Sequence, residues 1–234
     1  MEHLKLQTPR RSFLTGAFAA AAFMPFSNPA FAQGLNLGSI LGPGSILINA
    51  SDSVLDRLSE PGAYYDDEAI RIGLPLLDGG GGLFGSILNA GEKLGILGGL
   101  TRAINDAAGA AAGEAKPIFR NAINSISFND VPGIVSKNGG GTQYLRSSAN
   151  DDLHAKLSPL IDTALGDLGA YRQLDDLSAK HSFIRGAGLD RDGMNKTVTD
   201  QGLDGIFTYM GSEEQKLRAN PVGKVGKLLG GIFP

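Results

Sequence analysis

No cysteine occurs in the 234 residues. That removes disulfides, thiolate metal sites and lipid attachment through an N-terminal cysteine. Tryptophan is also absent and aromatic residues make up only 7% of the chain, so the core has to be built mostly from Leu, Ile, Ala and Val. Basic residues are not in excess, with 21 Lys and Arg against 24 Asp and Glu. A chain without a positive balance has no electrostatic drive onto a phosphate backbone, so nucleic acid is not an expected partner. No segment alternates strictly between apolar and polar residues with β-branched enrichment, and the expected fold is therefore all-α.

The first segment has a different character from the rest. Between Ser12 and Asp52 there is no charged residue at all. A short polar leader runs into Arg10, Arg11, Ser12, Phe13 and Leu14, the R-R-x-F-L core of a twin-arginine signal. Leu14 to Phe26 follows as an uncharged stretch, shorter than the roughly 20 apolar residues that cross a bilayer. Ala30, Phe31 and Ala32 supply the small-x-small pattern of signal peptidase, placing cleavage before Gln33. Residues 1–32 are thus read as a cleaved twin-arginine signal, with the translocase and signal peptidase as partners during export to the periplasm or beyond. A plain Sec signal and an uncleaved anchor are the competing readings, and Pro25, Asn28, Pro29, Gln33 and Asn36 argue against a spanning helix. The leader holds three basic residues and one acidic, so the mature chain is left about five charges negative.

Glycine punctuates what remains. Gly38-Ser39-Ile40-Leu41 recurs as Gly44-Ser45-Ile46-Leu47 and as Gly85-Ser86-Ile87-Leu88, at a spacing too irregular for a solenoid. The first two copies read as a tether within a Gly/Ser/Leu-rich segment, residues 33–65. Gly79 to Gly82 reads as a loop, since no Lys and Ser/Thr follow in the phosphate-cradling arrangement. From Leu94 the periodicity is helical. Leu97, Leu100, Ile104 and Ala107, then Ile118, Phe119, Ala122 and Ile123 behind Pro117, predict a helical hairpin. Ser127 to Asp130 resembles a capping box. Asn138 to Gly141 predicts a loop with Thr142 as N-cap of the longest helix. That helix carries the stripe Leu153, Leu157, Leu160, Ile161, Ala164, Leu165 and Leu168, with Pro159 as a candidate kink. Tyr171 to His181 predicts a short helix. Asp192 is read as capping a last one through Val198, Leu203, Ile206, Phe207 and Met210, with Glu214 and Arg218 paired on its exposed side and Pro221 stopping it. Together these give a single bundle-like domain over residues 66–234. Low contact order is expected to let such a helical domain fold quickly before export.

Five short motifs occur in order: Ile70-Arg71-Ile72-Gly73-Leu74-Pro75, Lys116-Pro117-Ile118-Phe119, Thr142-Gln143-Tyr144-Leu145-Arg146, Leu203-Asp204-Gly205-Ile206-Phe207, and Glu213-Glu214-Gln215-Lys216-Leu217-Arg218. Together they resemble an exported bacterial helical family known as domain of unknown function 4197, over roughly residues 66 to 233. Leu145 stands where the family's T-x-Y-F-R pattern has an aromatic residue, Gly73 stands where proline is usual, and the glycines at 79–82 are extra. The resemblance implies an exported, mostly helical protein and supplies no catalytic residues.

The candidate chemistry is sparse. His154 and His181, the two histidines beyond the leader, are far apart in sequence, and only Asp151 is spaced to share a metal with His154 on one helix face. Asp190-Arg191-Asp192-Gly193 hints at a calcium loop, but that register places Gly188 and Thr199 at ligand positions one and twelve, so helix capping is the better reading. No G-x-S-x-G nucleophile elbow and no cofactor motif is visible. The polar set inside the motifs is Tyr144, Arg146, Asp204, Glu213, Glu214 and Arg218. It reads either as a salt-bridge network between helices, which is favoured, or as a site whose two arginines would take an anionic ligand. The C-terminal Val222 to Phe233 carries Lys224 and Lys227 among apolar residues, where docking on the domain's own core is favoured over a membrane surface. The expectation is therefore a periplasmic helical protein without a cofactor. A non-catalytic binding or envelope-associated structural role comes first, and an enzyme or anionic-ligand binder is the alternative.

Overall fold

The computed structural model describes residues 42–74, 97–127, 137–182, 184 and 189–220, all of them within one compact unit spanning Leu37–Pro234. Among the described residues there are six α-helices and no strand. They are α1 (Pro43–Leu58), α2 (Gly98–Glu114), α3 (Lys116–Ser125), α4 (Gly140–Asp167), α5 (Ala170–Lys180) and α6 (Arg191–Ala219).

Two long helices form the frame. The 28 residues of α4 and the 29 of α6 are each about 42 Å long at the α-helical rise, and they pack against one another more extensively than any other pair. Their apolar faces supply Leu145, Leu153, Leu157, Ile161 and Leu165 from α4 and Met194, Val198, Leu203, Phe207 and Met210 from α6, all buried. Pro159 does not break α4. Ala155, whose carbonyl the missing Pro159 N–H would have met, is exposed along with Pro159 itself, so water can satisfy the freed group.

Against this frame lies α1, whose buried Leu47, Ala50, Ser51, Val54, Leu55 and Leu58 follow the three- and four-residue steps of one helix face. It packs on α6 and α3. The helix α2 is rich in alanine and buries most of its surface, leaving one stripe through Arg102 and Ala110 exposed, as suits an element packed on α1, α4, α5 and α6 at once. A single residue, Ala115, joins it to α3, and Pro117 stands in the first turn of α3 as predicted.

Between α1 and α2 the chain is not helical. Ile70 to Leu74 buries Ile70, Ile72 and Leu74 and leaves Arg71 exposed and Gly73 half-buried, the alternation of an extended chain. In place of a neighbouring strand, two side-chain amides take its backbone. Asn105 of α2 accepts from Ile72 N at 2.8 Å and donates to Ile72 O at 2.9 Å. Gln201 of α6 accepts from Gly73 N at 2.9 Å and donates to Gly73 O at 3.3 Å. The preceding loop is fastened by the buried Tyr64, whose hydroxyl donates to Gly202 O at 3.0 Å.

Several sequence expectations need correction. The second GSIL copy is part of α1 and packs into the core, so the helical body begins by Pro43 and not at residue 66. The first and third copies, the Gly79–Gly82 run, the capping-box residues 128–130, Pro221 and the Lys224/Lys227 segment lie outside the described residues, as does the leader. Alongside the local helix pairs, α1 packs on α6, far along the sequence. The N-cap of α6 is Asp190, whose carboxylate accepts from Gly193 N at 2.7 Å, with Asp192 in the first turn. Thr142 is not the N-cap of α4. That position belongs to Gly139, at φ +69°, a left-handed backbone that glycine takes without a side-chain clash.

Candidate functional site

The six polar residues picked out by the sequence do not form one cluster. Glu214 and Arg218 sit one helical turn apart near the end of α6, but Glu214 faces inward and is 0% exposed. Its carboxylate stands over the start of α4. There it accepts from Gly141 N at 3.0 Å, from Thr142 N at 2.8 Å and from the Thr142 hydroxyl at 2.7 Å. These are amides in the first turn of α4, which have no partner within the helix and point a partial positive charge at the carboxylate. Arg218 donates from Nε to Glu214 Oε1 at 2.8 Å, while Nη2 lies 2.7 Å from the same oxygen but off the hydrogen-bond axis. Glu214 thus serves α4 as the capping side chain that Gly139 lacks. Its neighbour Glu213 points elsewhere and lies 3.5 Å from Lys216.

Arg146 and Asp204 are on another face. They pair across the gap between α4 and α6, with side chains 49% and 58% exposed, and the guanidinium also lies over the Phe207 ring, 5.5 Å from its centroid. Around them is an open groove of about 720 Å³, lined also by Gln143, Ser147, Asn150, Asp200 and Leu203. Tyr144 is half-buried on α4, and its carbonyl accepts from the hydroxyls of Ser147 and Ser148 at 3.0 and 2.7 Å.

Further polar pairs continue along the same seam in antiparallel register. His154 Nε2 lies 3.0 Å from Asp200 Oδ1, not the Asp151 that sequence spacing offered, and Lys196 reaches the other oxygen of Asp200 at 2.6 Å. Ser158 donates its hydroxyl to Asn195 Oδ1 at 2.7 Å, and Asn195 returns a bond to Ser158 O at 3.0 Å. A second open groove, about 510 Å³, surrounds this pair and includes His154, Asp162, Asp192 and Lys196. Tyr171 donates to Asp162 at 2.6 Å, and burial followed by that bond raises its phenol well above the usual tyrosine range. No group of three or more His, Asp or Glu side chains spaced to hold a metal occurs among the described residues.

The model of the family described as protein of unknown function DUF4197 matches residues 44–234. The chain belongs to this family. No curated protein and no solved structure matches it. In this DUF4197 domain the motifs that carried the resemblance meet at α6. The Ile70–Leu74 segment is held against it by Gln201, the 142–146 motif opens α4 beneath Glu214, and the 203–207 motif supplies Asp204 and Phe207 to Arg146. The match begins at residue 44, inside the first turns of α1, in keeping with the correction to the N-terminal boundary.

Two features of the site region run against the sequence reading. The i,i+4 pairing with Arg218 suggests an exposed Glu214, yet Glu214 continues the stripe Leu203, Phe207, Met210 at the helical four- and three-residue steps. A carboxylate on an apolar stripe is the signal that it turns inward to meet donors. The same holds for Asn105, an amide on the buried face of α2 between Leu100, Ile104 and Ala108.

Proposed function

We propose that the chain is exported through the twin-arginine pathway and acts in the periplasm or outside the cell as a non-catalytic binding or envelope-associated structural protein. It meets its partner on the open α4–α6 groove around Arg146 and Asp204. One observation carries this reading: within the candidate polar set Glu214 and Arg218 are taken up in capping α4, while Arg146 and Asp204 are exposed and line a groove. The buried Glu214 and the half-buried Arg218, paired with one another, supply stability; exposed and solvated, Arg146 and Asp204 are accessible to a partner.

The lining of the groove bears on the alternative of a small anionic ligand. Arg146 is already paired with Asp204, and Lys196 with Asp200, so neither cation is left uncompensated to draw an anion into the groove. Neutral hydrogen-bonding groups from Gln143, Ser147 and Asn150 suit a polar surface of a larger partner better.

Export and binding are tested separately. Changing both Arg10 and Arg11 to Lys should leave the precursor uncleaved in the cytoplasm, and unchanged export would point to the Sec route instead. For binding, native mass spectrometry of the protein taken from its own compartment should show a retained partner that Arg146→Ala loses while its melting temperature stays within a degree or two of wild type, roughly the size expected for an exposed pair. A retained partner that survives both Arg146→Ala and Asp204→Ala would place the binding face elsewhere.

A further inference from the structure

We draw no further inference here: the strongest candidate, the continuation of the open α4–α6 groove past His154 and Asp200 to Ser158 and Asn195, belongs to the site already described, and nothing in the structure shows what would cover it.

Discussion

Glu214 caps a helix that begins more than 70 residues before it: both the backbone N–H and the side-chain hydroxyl of Thr142, 72 positions away, donate to one oxygen of its carboxylate, at 2.8 and 2.7 Å. The interaction ties the end of α6 to the start of α4 inside the core. Glu214→Ala would leave the Gly141 and Thr142 donors and the Arg218 guanidinium without their acceptor. Breaking a buried charge network from one side costs about 3 to 5 kcal/mol, and urea unfolding of this variant should show a loss of that order. Glu214→Gln keeps one acceptor and should lose less. Arg146→Ala, by contrast, removes an exposed pair and should cost no more than about 1 kcal/mol. Equal losses at the two positions would contradict the division into a structural half and an accessible half.

Glycine at 141 makes that cap possible. A Cβ there would meet Glu214 Oε1 at 2.8 Å and both terminal carbons of Leu47 at 3.2 Å. Gly141→Ala should therefore destabilise the domain by about 1 to 3 kcal/mol, the usual range for overpacking, despite the better helix propensity of alanine. Gly166, near the other end of the same helix, is exposed, and a Cβ there would meet nothing within 4 Å. Here Gly166→Ala should stabilise by about 0.5 to 1 kcal/mol. Thermal melts of the two variants should move in opposite directions.

These positions also show which parts of the fold are legible in the sequence. The stripe Leu153, Leu157, Ile161 and Leu165 is plain because local periodicity determines which face of a helix is apolar, and α4 buries that face. Pro117 is readable because its constraint on φ is its own. The cap of α4 is not. Thr142 has the chemistry of an N-cap, but the helix starts two residues before it, and the free N–H groups of Gly141 and of Thr142 itself are met by a side chain far along the chain, a partner that local pattern does not report. The alternation of Ile70, Ile72 and Leu74 covers too few residues to stand out as a strand, and its backbone partners are two amides on distant helices. Likewise the Gly44–Leu47 repeat resembles a tether because glycine and serine disfavour helix, whereas the burial of Leu47 beside Gly141 outweighs propensity. The Arg146–Asp204 pair is among those the sequence allows, because the motifs that hold the two residues fall on the two longest helices.

Asn105 gives a sharper test of the extended segment. Its Nδ2 donates both to Ile72 O and to Thr101 O, at 2.9 and 2.8 Å, while Oδ1 takes Ile72 N. Asn105→Asp keeps the shape and the acceptor but replaces the donor with a second oxygen facing two carbonyls. It should destabilise by more than the roughly 1 to 3 kcal/mol of a lost buried partner, and by more than Asn105→Ala. Hydrogen exchange should show the Ile72 amide losing protection in the alanine variant, with helical amides of α5 little changed. If Ile72 stayed fully protected, the amide would not be what holds the segment.

On the acid side, Asp67 is the group to follow. The Tyr209 hydroxyl donates to it, the Ala69 N–H adds a second bond at 3.1 Å, and Arg57 lies 3.6 Å away while stacking on the Tyr209 ring. Those bonds, the one from Tyr209 foremost, hold its carboxyl below the ordinary aspartate range. Because the folded state prefers the ionised form, this contribution is complete above the unfolded value of about 4 and is lost as pH falls through the lower folded value. Tyr209→Phe should move the Asp67 titration, followed by carboxyl NMR shifts, upward toward that unfolded value.

At alkaline pH the sign reverses, and the buried Tyr64 is one of the groups that contribute. Burial holds its phenol far above the usual tyrosine range, and its hydroxyl donates to Gly202 O. The unfolded chain gives up this proton near pH ~10 while the folded chain keeps it, so the stabilising contribution is full below that pH and drains away as pH rises further. Tyr64→Phe keeps the ring that fills the space beside α6 and removes only the hydroxyl. At neutral pH it should cost about 1 kcal/mol for the missing hydrogen bond. Above about pH 10 the wild type loses stability that the variant has no group to lose, so the gap between their urea midpoints should narrow and then change sign. A gap that stayed constant from neutral to alkaline pH would mean that the Tyr64 hydroxyl reaches solvent, and that the loop from Ser59 to Ile70 is not closed over α6 as the Gly202 contact requires.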